Sequence, residues 1–323
     1  MRGMHPEPVL TPADLEAWAR SGTSLAVLGQ PIGHSLSPPM HNAALAALAR
    51  EDRRFVDWRY FRFEVPPEDL PRALERLHAR HFLGLNLTVP HKVIAVSCVT
   101  AADGAARPAG AVNTLRWSPE GWQGFNTDGY GLNRAIRESL GREIAGTPIV
   151  LLGAGGAARG AAVECLARDC ASLWIGNRTP ENLERLLDVL RPLAGGIPLA
   201  GFGSGGSTSG SPTCDPLSSL PPGAIVINAT SAGLRPADPP PIDLSRLPRP
   251  AGVYDMIYNP SLTPLLRQAA SLGLPAANGL AMLVHQGAKA LEIWTGIPAD
   301  RTAPVMRAAA RAALAGEPRP ILT

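Results

Sequence analysis

Lys92 ends a short segment that holds several groups capable of chemistry. The chain has only two lysines but twenty-eight arginines, and Lys92 closes the run Asn86-Leu87-Thr88-Val89-Pro90-His91-Lys92. A lysine ammonium can exchange a proton when its surroundings move its pKa toward neutrality, whereas an arginine guanidinium stays charged. The use of lysine in so arginine-rich a chain points to proton transfer. A lysine early in a helix is also common as a surface residue, so its neighbours have to distinguish the two interpretations.

Short polar side chains recur where strands are predicted to end. Asn86 and Thr88 alternate on one face of such a strand end, and Asn113-Thr114 ends another apolar run. Asn126-Thr127-Asp128 then introduces a helix. Because open α/β sheets bind ligands at the ends of their strands, we expect these side chains to line one site together with the lysine. The alternative is that they are ordinary turn residues, with Asp128 only capping its helix.

A second candidate site is the segment Ser35-Leu36-Ser37-Pro38-Pro39, which combines two hydroxyls with a proline-led helix start. Free amides at a helix N-terminus, flanked by serines, can hold a small anion such as a carboxylate. Ser37 is also a good N-cap residue. These residues alone leave both interpretations open.

A glycine-rich turn lies between the apolar strand Pro148–Leu152 and a helix. Its pattern permits a tight turn and the close approach of a pyrophosphate to the helix N-terminus. The next strand ends in Asn177-Arg178-Thr179 and not in the acid that usually holds the ribose of NAD. A cation and a hydroxyl suit a 2′-phosphate, so NADP is the expected cofactor, although Thr179 also suits the N-cap before Pro180. The turn residues predicted to bind it are Gly153, Ala154, Gly155, Gly156 and Ala157.

Apolar strand-like runs alternate with helical patterns along most of the chain, which implies βαβ units and a mostly parallel sheet. One series starts at Leu25 and a second follows Asp128. We therefore expect an α/β protein of two domains, the second a Rossmann-type dinucleotide-binding domain with a parallel sheet. Residues 1–21 read as an extension with one short helix around Asp14–Arg20, and Gly201–Pro216 as a flexible surface loop.

Composition excludes several classes of function. The length of 323 residues suits one large or two ordinary domains. A net charge of +3 without a basic stripe argues against a nucleic-acid partner. No apolar run approaches the ~18 residues of a membrane span. Four cysteines without a CxxC pair indicate reduced thiols in a cytoplasmic protein, and no metal site is expected.

Several motifs together resemble the shikimate dehydrogenase family. One such motif is weak evidence, whereas this many in the family's order are specific. The resemblance runs from about Leu25 to Gly296. The matching elements are Ser35 and Ser37, then Asn86, Thr88, Pro90 and Lys92, then Ala111–Thr114, Asn126–Gly131, Asn228–Gly233 and Asp255 to Leu265, and finally Gly279, Met282, Leu283, Gln286 and Trp294-Thr295-Gly296.

The resemblance implies the reversible NADPH-dependent reduction of 3-dehydroshikimate to shikimate in aromatic amino-acid biosynthesis, the chorismate pathway. It implies that Lys92 and Asp128 flank the reacting position as the catalytic pair. Ser35 and Ser37, with Tyr258 nearby, would hold the substrate carboxylate. The ring hydroxyls would be held by Asn86, Thr88, Asn113 and Gln286. The implied cofactor residues beyond the glycine turn are Asn177, Arg178, Thr179, Thr230, Met256 and Gly279.

The resemblance also implies an N-terminal α/β substrate domain over 22–127, completed by C-terminal helices within 280–315, and an NADP-binding Rossmann-like domain over 128–279. Asn182 stands where the family often has a basic residue, so the preference for NADP rests mostly on Arg178. The alternatives are a quinate/shikimate dehydrogenase that uses NAD and a non-catalytic sensor of NADP or a metabolite. A homodimer stays open. Lys289 matches no motif and is expected to be solvated.

Overall fold

The computed structural model of the chain describes residues 8–203, 217–235 and 237–316. The described residues form two compact units, the first within 1–106, 111–127 and 284–323 and the second within 107–110 and 128–283. None of the helices in the described ranges is both long and apolar enough to cross a membrane. The strands are β1 (Ser24–Gly29), β2 (Arg59–Glu64), β3 (Gly84–Leu87), β4 (Ala101–Ala102), β5 (Thr114–Ser118), β6 (Gly121–Phe125), β7 (Pro148–Leu152), β8 (Ser172–Asn177), β9 (Leu199–Gly203), β10 (Ile225–Asn228), β11 (Gly252–Asp255) and β12 (Ala276–Asn278). The helices are α1 (Ser37–Glu51), α2 (Leu70–Ala79), α3 (His91–Ile94), α4 (Ala106–Ala109), α5 (Asp128–Leu140), α6 (Gly156–Ala167), α7 (Pro180–Leu190), α8 (Pro264–Ser271), α9 (Leu280–Thr295) and α10 (Ala299–Gly316).

The sheet of the first unit has the order β2-β1-β3-β5-β6-β4. β1 is parallel to both β2 and β3, as the alternation of strands and helices predicts. β5 is antiparallel to β3, and a tight hairpin makes β6 antiparallel to β5. The sequence alone does not predict these antiparallel pairs, which make the sheet mixed.

The two faces of this sheet differ in chemistry. Side chains alternate along a strand, and residues in register share a face. Tyr60 and Arg62 of β2 therefore lie on the same face as Gly84 and Asn86 of β3, through the registers of both strands with β1. The opposite face carries the apolar core of the unit, in which α2 packs. This core includes Leu28, Phe63, Leu74, Leu77, Leu85 and Leu115.

Trp294 of α9 packs onto the polar face at Gly84. A Cβ atom on Gly84 would lie 2.1 Å from the indole Nε1 atom, so only glycine admits the ring here. The indole N–H donates to the Leu115 carbonyl at 2.9 Å. These contacts hold α9 against β3 and β5.

The sheet of the second unit has the order β12-β11-β10-β7-β8-β9, and its strand pairs are all parallel. Ile149 and Leu151 of β7 belong to one buried cluster, and Val150 and Leu152 belong to another. A strand buried on both faces is typical of a parallel sheet with helices on each side. The predicted α/β class and the parallel sheet of the Rossmann-type domain are confirmed.

The predicted loop over Gly201–Pro216 is wrong at its start. Residues up to Gly203 belong to β9 and pair with β8. A Cβ atom on Gly201 would lie 2.8 Å from the Leu187 Cδ1 atom, so this glycine marks the close approach of a helix to the strand. Residues 204–216, which include Cys214, lie outside the described residues.

The N-terminal segment covers the outer edge of β2. The Leu10 N–H donates to the Arg62 carbonyl at 3.0 Å, and the Leu10 carbonyl accepts from Glu64 at 2.8 Å. Asn42 of α1 bonds both the N–H and the carbonyl of Tyr60, each at 2.9 Å. An unpaired edge strand is a template for self-association, and these contacts pair the edge within the chain.

The short helix predicted around Asp14–Arg20 is wrong in place and type. The segment has a 3₁₀ turn over Pro12–Leu15, which Pro12 starts and in which Thr11 and Asp14 form a capping box. Beyond the turn, the Trp18 ring lies 5.0 Å from the ring of Phe61, so the segment also packs against the sheet.

We expect Leu15→Ala to lower the free energy of unfolding by about 2–4 kcal/mol, because Leu15 is 2% exposed and its truncation leaves a cavity. Glu16→Ala is the matched control. Glu16 pairs with Arg76 at the surface, and such pairs contribute about 1 kcal/mol or less. Urea denaturation of both variants tests this expectation, and equal losses would contradict it.

Candidate active site

In the first unit, several predicted substrate residues lie together at one edge of the sheet, the edge where β3 ends and β5 begins. Asn86 lies in β3, and Thr88 directly follows that strand. The predicted strand end at Asn113-Thr114 is wrong, since Thr114 begins β5. Because β5 is antiparallel to β3, Thr114 pairs with Asn86 and lies at the same edge. Both asparagines thus arrive at the expected edge, but on strands of opposite direction.

Asn113 is the centre of a buried hydrogen-bond network. Its Oδ1 atom accepts from the Thr127 N–H at 2.8 Å and from the Thr114 hydroxyl at 3.0 Å. Its Nδ2 atom donates to Thr127 Oγ1 at 3.0 Å and to Gln286 Oε1 at 3.4 Å. The network therefore brings Gln286 of α9 beside the start of β5.

Asn86 joins this network from β3. Its Nδ2 atom donates to Thr114 Oγ1 at 3.0 Å and to the Asn113 carbonyl at 3.2 Å. Its Oδ1 atom accepts from the Tyr60 hydroxyl at 2.8 Å. Burial raises the pKa of the Tyr60 hydroxyl well above its usual range, while the Ser37 side chain opposes part of that shift as a hydrogen-bond partner. Tyr60 was not among the predicted site residues, although the register of β2 with β1 places it on the face of Asn86.

Residues of α1 fix the position of the serine segment Ser35–Ser37. Leu36 is the N-cap residue of α1, so the N-cap interpretation of Ser37 is wrong, and Ser37 is the first helical residue. The Ser37 N–H donates to Ser35 Oγ at 3.3 Å. The Nδ1 atom of His41 lies 2.9 Å from the Ser37 carbonyl. Burial lowers the pKa of His41 to about 4, so the ring is neutral at neutral pH, and its Nδ1–H donates to that carbonyl.

The predicted catalytic pair is divided between the two units. Lys92 is the second residue of α3 and is half-buried, and its carbonyl accepts from the Val112 N–H at 2.8 Å. Asp128 is the first residue of α5 in the second unit and is 3% exposed. It follows Thr127, which the network of the first unit holds. Tyr258, predicted near the substrate carboxylate, also belongs to the second unit.

The glycine turn after β7 has the geometry that a pyrophosphate requires. Gly153 has a φ of +114°, and a Cβ atom there would lie 3.0 Å from the Ala229 carbonyl oxygen. Gly155 is the N-cap residue of α6. Across the described ranges, no heavy atom lies within 4 Å of the place that a Cβ atom on Gly155 would take. The backbone before the helix is therefore accessible to a phosphate group.

The segment after β8 fits a 2′-phosphate. Arg178 is exposed, and the Asn177 side chain donates to the Thr179 carbonyl at 2.8 Å. Thr179 is the N-cap residue of α7 and Pro180 its first residue, as predicted. An amide, a cation and a hydroxyl thus stand together at the end of the strand.

The other predicted cofactor residues follow one row of the sheet. Gly176, Leu152, Asn228, Asp255 and Asn278 are in register across five strands. The residues one or two positions beyond this row are Asn177, Gly153, Thr230, Met256 and Gly279. A Cβ atom on Gly279 would lie 2.0 Å from the Met256 carbonyl oxygen, so these two segments meet backbone to backbone.

A buried carboxylate ties together the loops that follow β10 and β11. Asp255 accepts from Asn228 Nδ2 at 3.0 Å, from the Ile257 N–H at 3.0 Å and from the Thr263 hydroxyl at 2.7 Å. Burial raises the pKa of Asp255, and these hydrogen bonds oppose the shift. Asn228 Oδ1 in turn accepts from the N–H and the hydroxyl of Thr230, at 3.0 and 2.7 Å. Asp255 therefore holds the Thr230 loop through Asn228.

Two family models match the chain. The shikimate dehydrogenase substrate binding domain matches residues 27–115, and the shikimate 5′-dehydrogenase C-terminal domain matches residues 279–311.

Similar proteins cover nearly the whole of the chain. The shikimate dehydrogenase (NADP(+)) of Geobacter metallireducens is 40% identical over 276 residues, which are 84% of this chain and 91% of the relative. That of Methanothrix thermoacetophila is 42% identical over 289 residues, 90% of this chain and 97% of the relative. The crystal structure of shikimate 5-dehydrogenase from Thermus thermophilus in complex with NADP(H) and shikimate is also similar. It has a TM-score of 0.73 and 33% identity and covers 90% of this chain and 99% of that one.

We expect Asp255→Asn to lower the free energy of unfolding by about 2–4 kcal/mol, because an amide N–H₂ would face donors that now meet a carboxylate oxygen. Asp243→Asn is the matched control. Asp243 also accepts three hydrogen bonds, from the Ser245 N–H, the Ser245 hydroxyl and the Gln268 amide, but it is exposed. Its loss should stay below about 1 kcal/mol. Thermal and urea denaturation measure both, and similar losses would refute the role of burial.

Proposed function

The chain belongs to the shikimate dehydrogenase family, and on that premise we propose that it reversibly reduces 3-dehydroshikimate to shikimate with NADPH, in aromatic amino-acid biosynthesis. The observation that carries the proposal is the network at the sheet edge of the first unit. Asn86, Asn113 and Gln286 there present side-chain amides from three elements within one set of hydrogen bonds. Several fixed amides suit a small molecule with several hydroxyls.

The substrate contacts follow from this arrangement. Asn86, Thr88, Asn113 and Gln286 hold the ring hydroxyls. Ser35 and Ser37, at the start of α1, hold the carboxylate together with Tyr258. The positive end of a helix dipole favours an anion at such a position.

Lys92 and Asp128 carry the proton transfer. When hydride reaches the ketone carbon, negative charge develops on the oxygen, and the Lys92 ammonium stabilises that charge and then donates a proton to form the alcohol. In the reverse direction the neutral amine takes the hydroxyl proton. Asp128 orients the ammonium and accepts a hydrogen bond from the reacting hydroxyl.

NADPH supplies the hydride when it is bound. The glycine turn Gly153–Ala157 holds its pyrophosphate, and Asn177, Arg178 and Thr179 hold the 2′-phosphate. Thr230, Met256 and Gly279 stand beside it along the row of strand ends. The exposed Arg178 carries the preference for NADP, since α7 has the uncharged Asn182 where the family resemblance implies a cation.

We also propose that the enzyme is cytoplasmic and has no nucleic-acid partner. The small net charge supports the second point, and the free thiols of Cys98, Cys165 and Cys170 support the first. Size-exclusion chromatography with light scattering would decide between a monomer and a homodimer.

One absorbance assay tests the function. Shikimate and quinate are oxidised in turn with NADP and with NAD, and reduced cofactor is measured. We expect rapid turnover of shikimate with NADP. Faster turnover of quinate with NAD would favour a quinate/shikimate dehydrogenase, and no turnover in any combination would favour a non-catalytic sensor.

Lys92→Ala and Asp128→Asn should each lower kcat by about 10²–10⁴-fold while KM for shikimate changes much less, because each removes an interaction that matters most in the transition state. The other lysine provides the control. Lys289 was expected to be solvated, but it is half-buried and pairs with Glu292 at 2.5 Å. Lys289→Ala should keep kcat within about twofold of the original, since it lies outside the proposed site. Normal turnover by either of the first two variants at saturating NADPH would show that the catalytic pair is wrong.

A further inference from the structure

Tyr60 has no part in the function proposed above, yet its hydroxyl bonds directly to a proposed substrate residue. We propose that Tyr60 is a positioning residue that holds Asn86 as a hydrogen-bond acceptor, so that the substrate group at Asn86 must be a hydroxyl that donates. This inference rests on the proposed function, because that function places a substrate hydroxyl at Asn86.

The direction of the hydrogen bonds begins at the backbone. The Thr127 N–H can only donate, so the atom of Asn113 that faces it at 2.8 Å must be the oxygen. The Thr114 hydroxyl donates to the same oxygen at 3.0 Å. Its own oxygen is then left to accept, and it accepts from Asn86 at 3.0 Å. One backbone N–H thereby sets the orientation of two side-chain amides.

A second backbone group fixes Asn86 independently. The Asn113 carbonyl can only accept, and it lies 3.2 Å from the Asn86 Nδ2 atom. Both hydrogens of the Asn86 amide are therefore used, one by this carbonyl and one by Thr114. The Oδ1 atom must face Tyr60, whose hydroxyl donates to it at 2.8 Å. What remains for a ligand is one lone pair on Oδ1.

Tyr60 is held firmly enough to fix that lone pair in space. Its side chain is fully buried. The His41 ring stacks on it with a centroid distance of 4.1 Å and an interplanar angle of 10°. The Asn42 amide bonds both its N–H and its carbonyl. Side chains that contact a ligand are held precisely only when neighbouring groups fix their positions.

The same support reaches the other substrate segments. His41, which stacks on Tyr60, donates to the Ser37 carbonyl at 2.9 Å. A Cβ atom on Gly287 would lie 3.2 Å from the His41 Cε1 atom, so the residue after Gln286 is also packed against this ring. Tyr60 and His41 therefore support the positions of three proposed substrate residues, which are Asn86, Ser37 and Gln286.

The first experiment compares Tyr60→Phe with the parent enzyme in the shikimate assay. We expect KM for shikimate to rise about five- to twenty-fold while kcat falls less than about threefold, because the lost hydrogen bond loosens Asn86 in the ground state and the transition state alike. Tyr254→Phe is the matched control. Tyr254 is equally buried, and its hydroxyl accepts from the Met282 N–H at 3.2 Å in the second unit. It should lose stability with little change in KM.

The second experiment requires no variant that might fail to fold. Shikimate analogues in which fluorine replaces each non-reacting hydroxyl in turn are assayed, since carbon-bound fluorine cannot donate. The unaltered enzyme should lose about tenfold or more in kcat/KM for at least one analogue. In Tyr60→Phe the loss should shrink for the analogue that lacks the hydroxyl bound to Asn86, while any loss for the other analogue should persist, because coupling is confined to groups in contact.

Each outcome bears on the inference. A Tyr60→Phe enzyme that melts at a lower temperature but keeps its KM would overturn it, as would an equal rise in KM for Tyr254→Phe. Full activity of the unaltered enzyme on every fluoro analogue would show that Asn86 does not require a donor. Failure of the proposed function is distinguishable, since the unaltered enzyme would then not turn over shikimate at all.

Discussion

Uncharged amides and hydroxyls can be buried only where each donor meets an acceptor, and the sheet edge of the first unit is arranged around that requirement. The Thr127 N–H imposes a direction on Asn113, and the direction passes through Thr114 to Asn86 and Tyr60. Neither Asn113 nor Asn86 can rotate its amide without leaving a buried donor opposite another donor. The edge therefore presents a fixed pattern to a ligand before any ligand arrives, which lowers the cost of ordering the site on binding.

In the second unit, a buried carboxylate satisfies the hydrogen-bond donors around it. Asp255 is buried, and three donors surround it, from the end of β10, the loop after β11 and the start of α8. A carboxylate accepts from all of them, whereas an amide has to offer hydrogens as well. The charged group therefore suits a junction where only donors converge, and neutral amides suit the edge of the first unit, where donors and acceptors alternate. In both units the polar groups stabilise the ends of strands, where backbone hydrogen bonds run out.

Local patterns in the sequence were enough to predict β1, α1, β7, the glycine turn and the α/β class, because each depends on residues that are close in the chain. Other features depend on contacts between distant residues. The apolar run before Asn113 does not reveal that β5 is antiparallel to β3. The register of β2 with its neighbours places Tyr60 on the face of Asn86, and His41 of α1 joins this site by stacking on Tyr60. The pairing of Leu10 with β2 likewise has no local signature.

The packing of Trp294 against Gly84 has a consequence for how the chain is made. The indole of Trp294 bonds the Leu115 carbonyl across 179 positions of sequence. A nascent chain that has just finished β5 still lacks α9, whose Trp294 packs at Gly84. By the time Trp294 leaves the ribosome, all residues of the second unit have already been synthesised. The first unit is therefore completed only after the whole second unit has been synthesised. Until then the packing of Trp294 against Gly84 is missing.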